Sequence, residues 1–215
     1  MPDADERTAF WDRNILRWEA ARYSLLSSFN PFAWTVRRRM EAARRLVRED
    51  FADHPDVLDL GCGSGILAHA LIDREGRSYL GIDISGVAVA AARRRFASQA
   101  GRIRFERRDV LAAPAWDASL IVVLGLLDWI DEAEARRLFQ RLRGRSLCFS
   151  FTETESGGAS LLYRQYRRCI DRTYRARDYR QSQVVAAAEE AGYRVDRVLR
   201  LSRWDPGRLV LASKP

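Results

Sequence analysis

From Val57 onward, the chain alternates between short apolar runs and longer stretches whose apolar residues recur every three or four positions. Strands are expected at 57–60, 78–82, 103–107, 118–124 and 146–151, most of them apolar-rich as strands buried on both faces are, with 103–107 alternating apolar and charged. The periodic stretches between them predict helices over 65–74, 86–99 and 131–142, the first on the spacing of Ile66, Leu67, Ala70 and Leu71. Repeated alternation of this kind predicts an α/β fold with a mostly parallel sheet covered by helices on both faces. One more helix is expected over 181–191, followed by strands near 193–201 and 207–212. Ahead of this body, residues 5–28 and 33–52 read as two amphipathic helices. They break at Phe29-Asn30-Pro31, where proline pushes its predecessor out of helical geometry. The rhythm fails only over 152–180, a polar loop followed by an Arg/Tyr-rich segment. The chain therefore divides into an N-terminal helical cap or lid (1–52) and a body (53–215) with an insertion at about 152–180.

The end of the first predicted strand carries the densest chemical signal. Val57-Leu-Asp-Leu-Gly-Cys-Gly-Ser-Gly65 passes from buried strand to three glycines at alternate positions, then to a helical pattern. Glycine lets the backbone turn tightly and approach a ligand with no Cβ in the way. Such a loop at the carboxyl end of the first strand is how open α/β sheets hold nucleotide-like ligands. The second strand ends in Gly81-Ile82-Asp83, 24 residues beyond Asp59, where a carboxylate can accept hydrogen bonds from both hydroxyls of a ribose. The third ends in Arg108-Asp109-Val110, and the fourth runs through Leu120–Leu127 into Asp128-Trp129. A single Asp at a strand end is common as a cap or turn residue. Asp59, Asp83 and Asp109 at three successive strand ends form a pattern that capping alone does not explain.

These motifs resemble those of the class I S-adenosylmethionine-dependent methyltransferases, over roughly residues 55–150. The resemblance implies a three-layer, Rossmann-like methyltransferase sandwich of about seven strands ending in an antiparallel hairpin, which suits 193–212. It implies S-adenosylmethionine as cofactor, with S-adenosylhomocysteine as product. Gly61, Cys62, Gly63 and Gly65 would shape the methionine end of the pocket, and Asp59 would support the loop or the amino group. Asp83 would take the ribose, Ile84 would lie against the adenine, and Asp109 with Val110 would meet the adenine amino group. Leu124 and Gly125 would line the methionine end. The rival is a nicotinamide- or flavin-binding domain, whose fingerprint needs a small residue at position 66, where this chain has Ile.

Catalytic residues are less legible. The two histidines, His54 and His69, read as structural or solvated, and none follows residue 69. That leaves a carboxylate, a tyrosine or proximity alone. Asp128, after the fourth strand, is the candidate base, with a capping role as the alternative. Cys62, Cys148 and Cys169 have neither disulfide nor metal spacing, and no metal is expected.

Acceptor recognition is expected from the cap aromatics and the insertion. Trp34, Trp129, Tyr163 and Tyr166 are the candidate acceptor-binding residues. Residues 163–180 hold seven Arg and four Tyr, a face suited to a planar or acidic small molecule or, alternatively, to RNA. The net charge of +8 comes from a basic set in which 36 of 37 residues are Arg, a skew also produced by a GC-rich genome. The Arg37-Arg38-Arg39 run would supply a guanidinium to the cofactor carboxylate or stand as a solvated face. No apolar run reaches the roughly 20 residues of a membrane span, and no signal peptide is visible, so a cytoplasmic protein is expected. The expected activity is methyl transfer to a small molecule, O-methylation first. An RNA methyltransferase or a catalytically silent cofactor-binding module are the alternatives.

Overall fold

The computed structural model of the chain describes residues 4–23, 31–71, 75–154, 177–200 and 206–214. Two helices come first, α1 (Ala4–Tyr23) and α2 (Pro31–Arg48). Strands β1 (Asp56–Leu60), β2 (Ser78–Asp83), β3 (Ile103–Arg107), β4 (Leu120–Val123) and β5 (Ser146–Thr152) follow. They are interleaved with α3 (Gly86–Arg95) and α4 (Glu132–Arg141). Helix α5 (Gln181–Glu190) and strands β6 (Arg194–Arg200) and β7 (Gly207–Ser213) close the fold. The sheet has seven strands in the order β3-β2-β1-β4-β5-β7-β6. Strands β1 to β5 pair in parallel, and β7 runs antiparallel to both β5 and β6.

Side chains alternate across this sheet and build two cores. Leu58, Leu60, Ile121, Val123, Phe149 and Phe151 face α4 and α5, meeting Leu138, Phe139, Val184 and Ala188. Val57, Tyr79, Phe105, Val122, Cys148 and Leu211 face α2 and α3, meeting Val47, Val89 and Ala92. With both faces covered, the central strands are apolar at nearly every position, so the runs in the sequence locate them. The margins differ: β3 exposes Arg104 and Arg107, while β6 exposes Arg194, Arg197 and Arg200 and carries an irregularity in its pairing between Val195 and Arg197.

Local sequence sets the helix ends. Ser85 caps α3, its hydroxyl accepting from Ala88 N at 3.1 Å. Asp131 and Glu134 form a reciprocal capping box at the start of α4. The structure departs from the sequence reading after the glycine loop. Instead of an α-helix over 65–74, residues Leu67–Leu71 form a 3-10 helix, with 72–74 outside the described residues. Helix α2 begins at Pro31, not at 33, because proline's fixed φ suits the first helical position. His54 is buried: Nδ1 lies 3.0 Å from Asp53 Oδ1 and Nε2 lies 2.8 Å from Ser146 Oγ, tying the start of β1 to the start of β5. His69 is exposed against Phe96, their ring centroids 5.0 Å apart. No helix among the described residues is long and apolar enough to cross a membrane.

Candidate active site

Every chemical group singled out at the strand ends lies along the carboxyl edge of the sheet, or just beneath it, around the glycine loop. Gly61, Gly63 and Gly65 all have positive φ (80°, 54° and 79°), a conformation side-chain-bearing residues avoid. Their reasons for being glycine differ. A Cβ on Gly65 would lie 2.7 Å from Phe105 and 3.2 Å from Phe96, so this glycine lets the loop close on the core. A Cβ on Gly63 would instead collide with the carboxylate of Glu19, which reaches the loop from α1. A Cβ on Gly61 would sit 3.3 Å from Leu126. A Cβ on Gly81 in β2 would likewise lie 2.7 Å from Phe105 and 2.8 Å from Cys62 Sγ.

Asp83 anchors the loop. Its Oδ2 accepts from Gly63 N and its Oδ1 from Ser85 N, each at 2.8 Å. Burial pushes its pKa up, the two N–H donors oppose that, and the Glu19 and Asp12 carboxylates push it further. Each oxygen keeps a lone pair for a further donor. Asp59 is placed differently, one layer below the rim. Tyr79 donates to its Oδ2 at 2.5 Å, and burial raises its pKa to about 7 against that hydrogen bond. Cys62 is buried, its thiol pKa pushed well up by desolvation, and its sulfur lies 3.5 Å from Gly63 O; the thiol is packing. Ile84 is half-buried beside Asp83, while Val110 is buried in the core under the rim. Asp109 turns its own loop, accepting from Leu111 N at 2.8 Å, with Arg7 NH2 3.9 Å from Oδ2.

At the end of β4, half-buried Leu124 leads into Gly125 (φ 74°), whose N–H donates to Ser150 Oγ at 2.9 Å. Arg39 NH2 comes within 3.9 Å of where a Cβ on Gly125 would stand, and its NH1 lies 3.7 Å from Asp128 Oδ2. Asp128 Oδ1 accepts from Thr152 N at 2.9 Å, joining this turn to the end of β5. Of the arginine run, Arg39 reaches this edge, Arg37 donates to the carbonyl of Arg22 at 2.8 Å, and Arg38 covers the ring of exposed Trp34 at 3.6 Å. Trp34 therefore stands on the outer surface of α2, whereas Trp129 joins the site. Tyr163 and Tyr166 lie outside the described residues.

The sequence reading expected the cap aromatics, Phe10, Trp11 and Trp18 among them, to wall or cover the site, but missed the charged contacts of α1. This helix lies across the strand ends, held by charged contacts along its length. Arg7 bonds Glu134 at 2.8 Å beside Asp109; Asp12 accepts from Ser85 Oγ at 2.7 Å and Val87 N at 3.2 Å; Glu19 accepts from Ser64 N at 2.8 Å. Phe10, Trp11 and Trp18 surround Trp129 with ring centroids 6.4, 5.0 and 5.0 Å away. Trp11 with Trp18, and Asp12 with Glu19, are each seven residues apart, so both pairs line one side of the helix. That spacing was the available signal.

Residues 57–145 match a family model described as a methyltransferase domain. This stretch of the chain is thus similar to a methyltransferase domain. The chain is 36% identical over 106 residues to acetylserotonin O-methyltransferase of Bos taurus, a match covering 48% of the chain. The match spans 30% of the length of that relative. Among solved structures, magnesium protoporphyrin IX methyltransferase (ChlM) of Synechocystis PCC 6803, with bound SAH, superimposes with a TM-score of 0.75 at 17% identity. That comparison covers 99% of this chain and 100% of the other. The pyocyanin biosynthetic protein PhzM aligns with a TM-score of 0.65 at 19% identity, over 100% of this chain and 74% of the other. These similarities carry the fold.

S-adenosylmethionine, the cofactor implied by the motif resemblance, fits the chemistry of the edge. The positive-φ glycines at 61 and 63 make a cradle that side chains would fill, and Asp83 offers two oxygens to a diol. Arg39 stands at the opposite side, by Gly125.

Proposed function

We propose that this methyltransferase moves a methyl group from S-adenosylmethionine to an oxygen of a small, planar acceptor. The observation that carries the reading is the juxtaposition of the glycine cradle and Asp83 with an aromatic wall, Trp129 and the α1 rings, at the end of β4. In this reading Asp83 holds the ribose hydroxyls, Ile84 and Asp109 flank the adenine, and Gly61 and Gly63 admit the methionine end. Arg39 pairs with the cofactor carboxylate. When bound, S-adenosylmethionine supplies a methyl group already activated by a sulfonium.

The remaining work belongs to the chain: aligning the acceptor and excluding water. Alignment of this kind contributes roughly 7–11 kcal/mol to a bimolecular transfer. The α1 helix covers the rim, and its rings present flat apolar faces to an aromatic acceptor. Asp128 is assigned the proton of an acceptor hydroxyl at its Oδ2, since Oδ1 is engaged by Thr152 N–H. Acetylserotonin O-methyltransferase and magnesium protoporphyrin IX methyltransferase are named for small-molecule acceptors, which favours a small molecule over RNA here.

Purified protein incubated with methyl-labelled cofactor and a small-molecule extract should yield a labelled product whose mass identifies the acceptor. Label appearing only in RNA would overturn the small-molecule reading. No transfer to either pool, despite cofactor binding, would make the protein a silent binding module.

A further inference from the structure

We propose that Glu19 and Asp12 make α1 a charge-reading lid, closing more tightly over the cationic methyl donor than over its neutral product. The inference rests on the cofactor reading above. The donor carries a sulfonium, an ammonium and a carboxylate, for a net positive charge; the demethylated product has lost the sulfonium charge and is neutral.

Among the described residues, three carboxylates lie around the cradle at the edge of the sheet. Asp83 lies beneath the loop on Gly63 N, and Glu19 comes from above onto Ser64 N, against Gly63. Asp12 sits on Ser85 Oγ and Val87 N, at the start of α3. Among the described residues, the guanidiniums of the same rim each have a protein partner, and Arg39 alone of them is also assigned to the cofactor carboxylate, away from Gly63. Arg7 pairs with Glu134 and lies by Asp109, Arg39 lies by Asp128, and Arg95 NH1 donates to Ser64 O and Ser64 Oγ. Two carboxylates, Asp83 and Glu19, thus meet at the turn where the methionine end of the ligand is placed, and Asp12 stands beside Asp83 at the start of α3. Their mutual repulsion shows in Asp83, whose proton affinity is raised by burial first and by Glu19 and Asp12 as well.

A positive ligand relieves that repulsion and a neutral one does not. Glu19 is half-buried, so the field it adds is screened less than that of a surface charge. Because the same helix carries Trp11 and Trp18 to Trp129, closure of the lid is coupled to the aromatic wall. Loss of the sulfonium charge on transfer would then loosen α1 and favour product release.

The test is calorimetric titration of the intact chain with S-adenosylhomocysteine and with sinefungin, a stable analogue that carries a positive amine near the place of the sulfonium. The wild type should prefer sinefungin by about tenfold, and Glu19→Gln should bring the two affinities within about threefold, chiefly by weakening sinefungin. Tryptophan emission should respond more to sinefungin than to the product. Asp12→Asn, at the other carboxylate, should lower the preference in the same direction, and serves if Glu19→Gln does not fold. Equal wild-type affinities, or a preference unchanged in the variants, would overturn the lid proposal and leave the cofactor reading standing. Failure of the wild type to bind either compound would overturn the cofactor reading and the lid with it.

Discussion

Three glycines with nearly the same backbone but different neighbours separate the two jobs of the loop. Gly63, Gly65 and Gly76 have φ of 54°, 79° and 76°. Alanine at any of them incurs the left-handed penalty, roughly 1–2 kcal/mol. A Cβ at Gly76 would meet nothing within 4 Å, so Gly76→Ala isolates that penalty. At Gly65 the added carbon lies 2.7 and 2.8 Å from the Phe105 ring and 3.2 Å from Phe96. Overpacking of this kind adds roughly 1–3 kcal/mol, for a total of about 2–5 kcal/mol. At Gly63 the neighbour is the end of the Glu19 side chain, which can swing away at little cost to the core. Gly63→Ala should therefore unfold in urea close to Gly76→Ala, yet lose S-adenosylhomocysteine binding by at least about tenfold, because the cradle is filled. Phe105→Leu should recover part of the loss in Gly65→Ala and none in Gly76→Ala. Gly65→Ala no less stable than Gly76→Ala would refute the packing argument. Undiminished ligand affinity in Gly63→Ala would refute the cradle.

Asp59 should make stability pH-dependent. Its folded pKa is raised to about 7 by burial, so the folded state holds a proton that the unfolded chain releases in the ordinary carboxylate range. Its contribution thus declines as pH rises from that range to about 7, and Asp59→Asn should flatten this part of the stability profile measured by urea denaturation. Asp128→Asn keeps an acceptor for Thr152 N–H but removes the charge facing Arg39. It should lower turnover about a hundredfold or more with cofactor affinity changed less than about threefold, checked by steady-state kinetics and calorimetry. Arg7→Ala leaves largely buried Glu134 without its cation and should cost about 1–3 kcal/mol by thermal melting.

The sheet was legible to within a residue or two because its central strands are buried on both faces and leave apolar-rich runs. Asp83 and the glycine loop were legible because their chemistry is local: a turn, a carboxylate and a strand end. The 3-10 helix at Leu67–Leu71 was misread because apolar spacings of three and four serve both helix types. The parts that fell outside the reading are long-range. Ser146 completes the hydrogen bonding of His54 from 92 residues away, and Glu19 meets Ser64 from 45 away. On α1, Arg7, Asp12 and Glu19 look like a solvated face, since nothing local distinguishes a carboxylate facing water from one docked on backbone amides.

The strand order leaves β3 and β6 as the outermost members of the sheet, and each presents guanidinium groups outward. Unpaired amides and carbonyls on such borders invite a strand from another molecule to add on. Here an approaching copy would bring like charge against like, and the irregular pairing at Val195 and Arg197 twists one border away from the flat template that fibrils need. Arginines at these borders would thereby oppose edge-to-edge addition of a second copy.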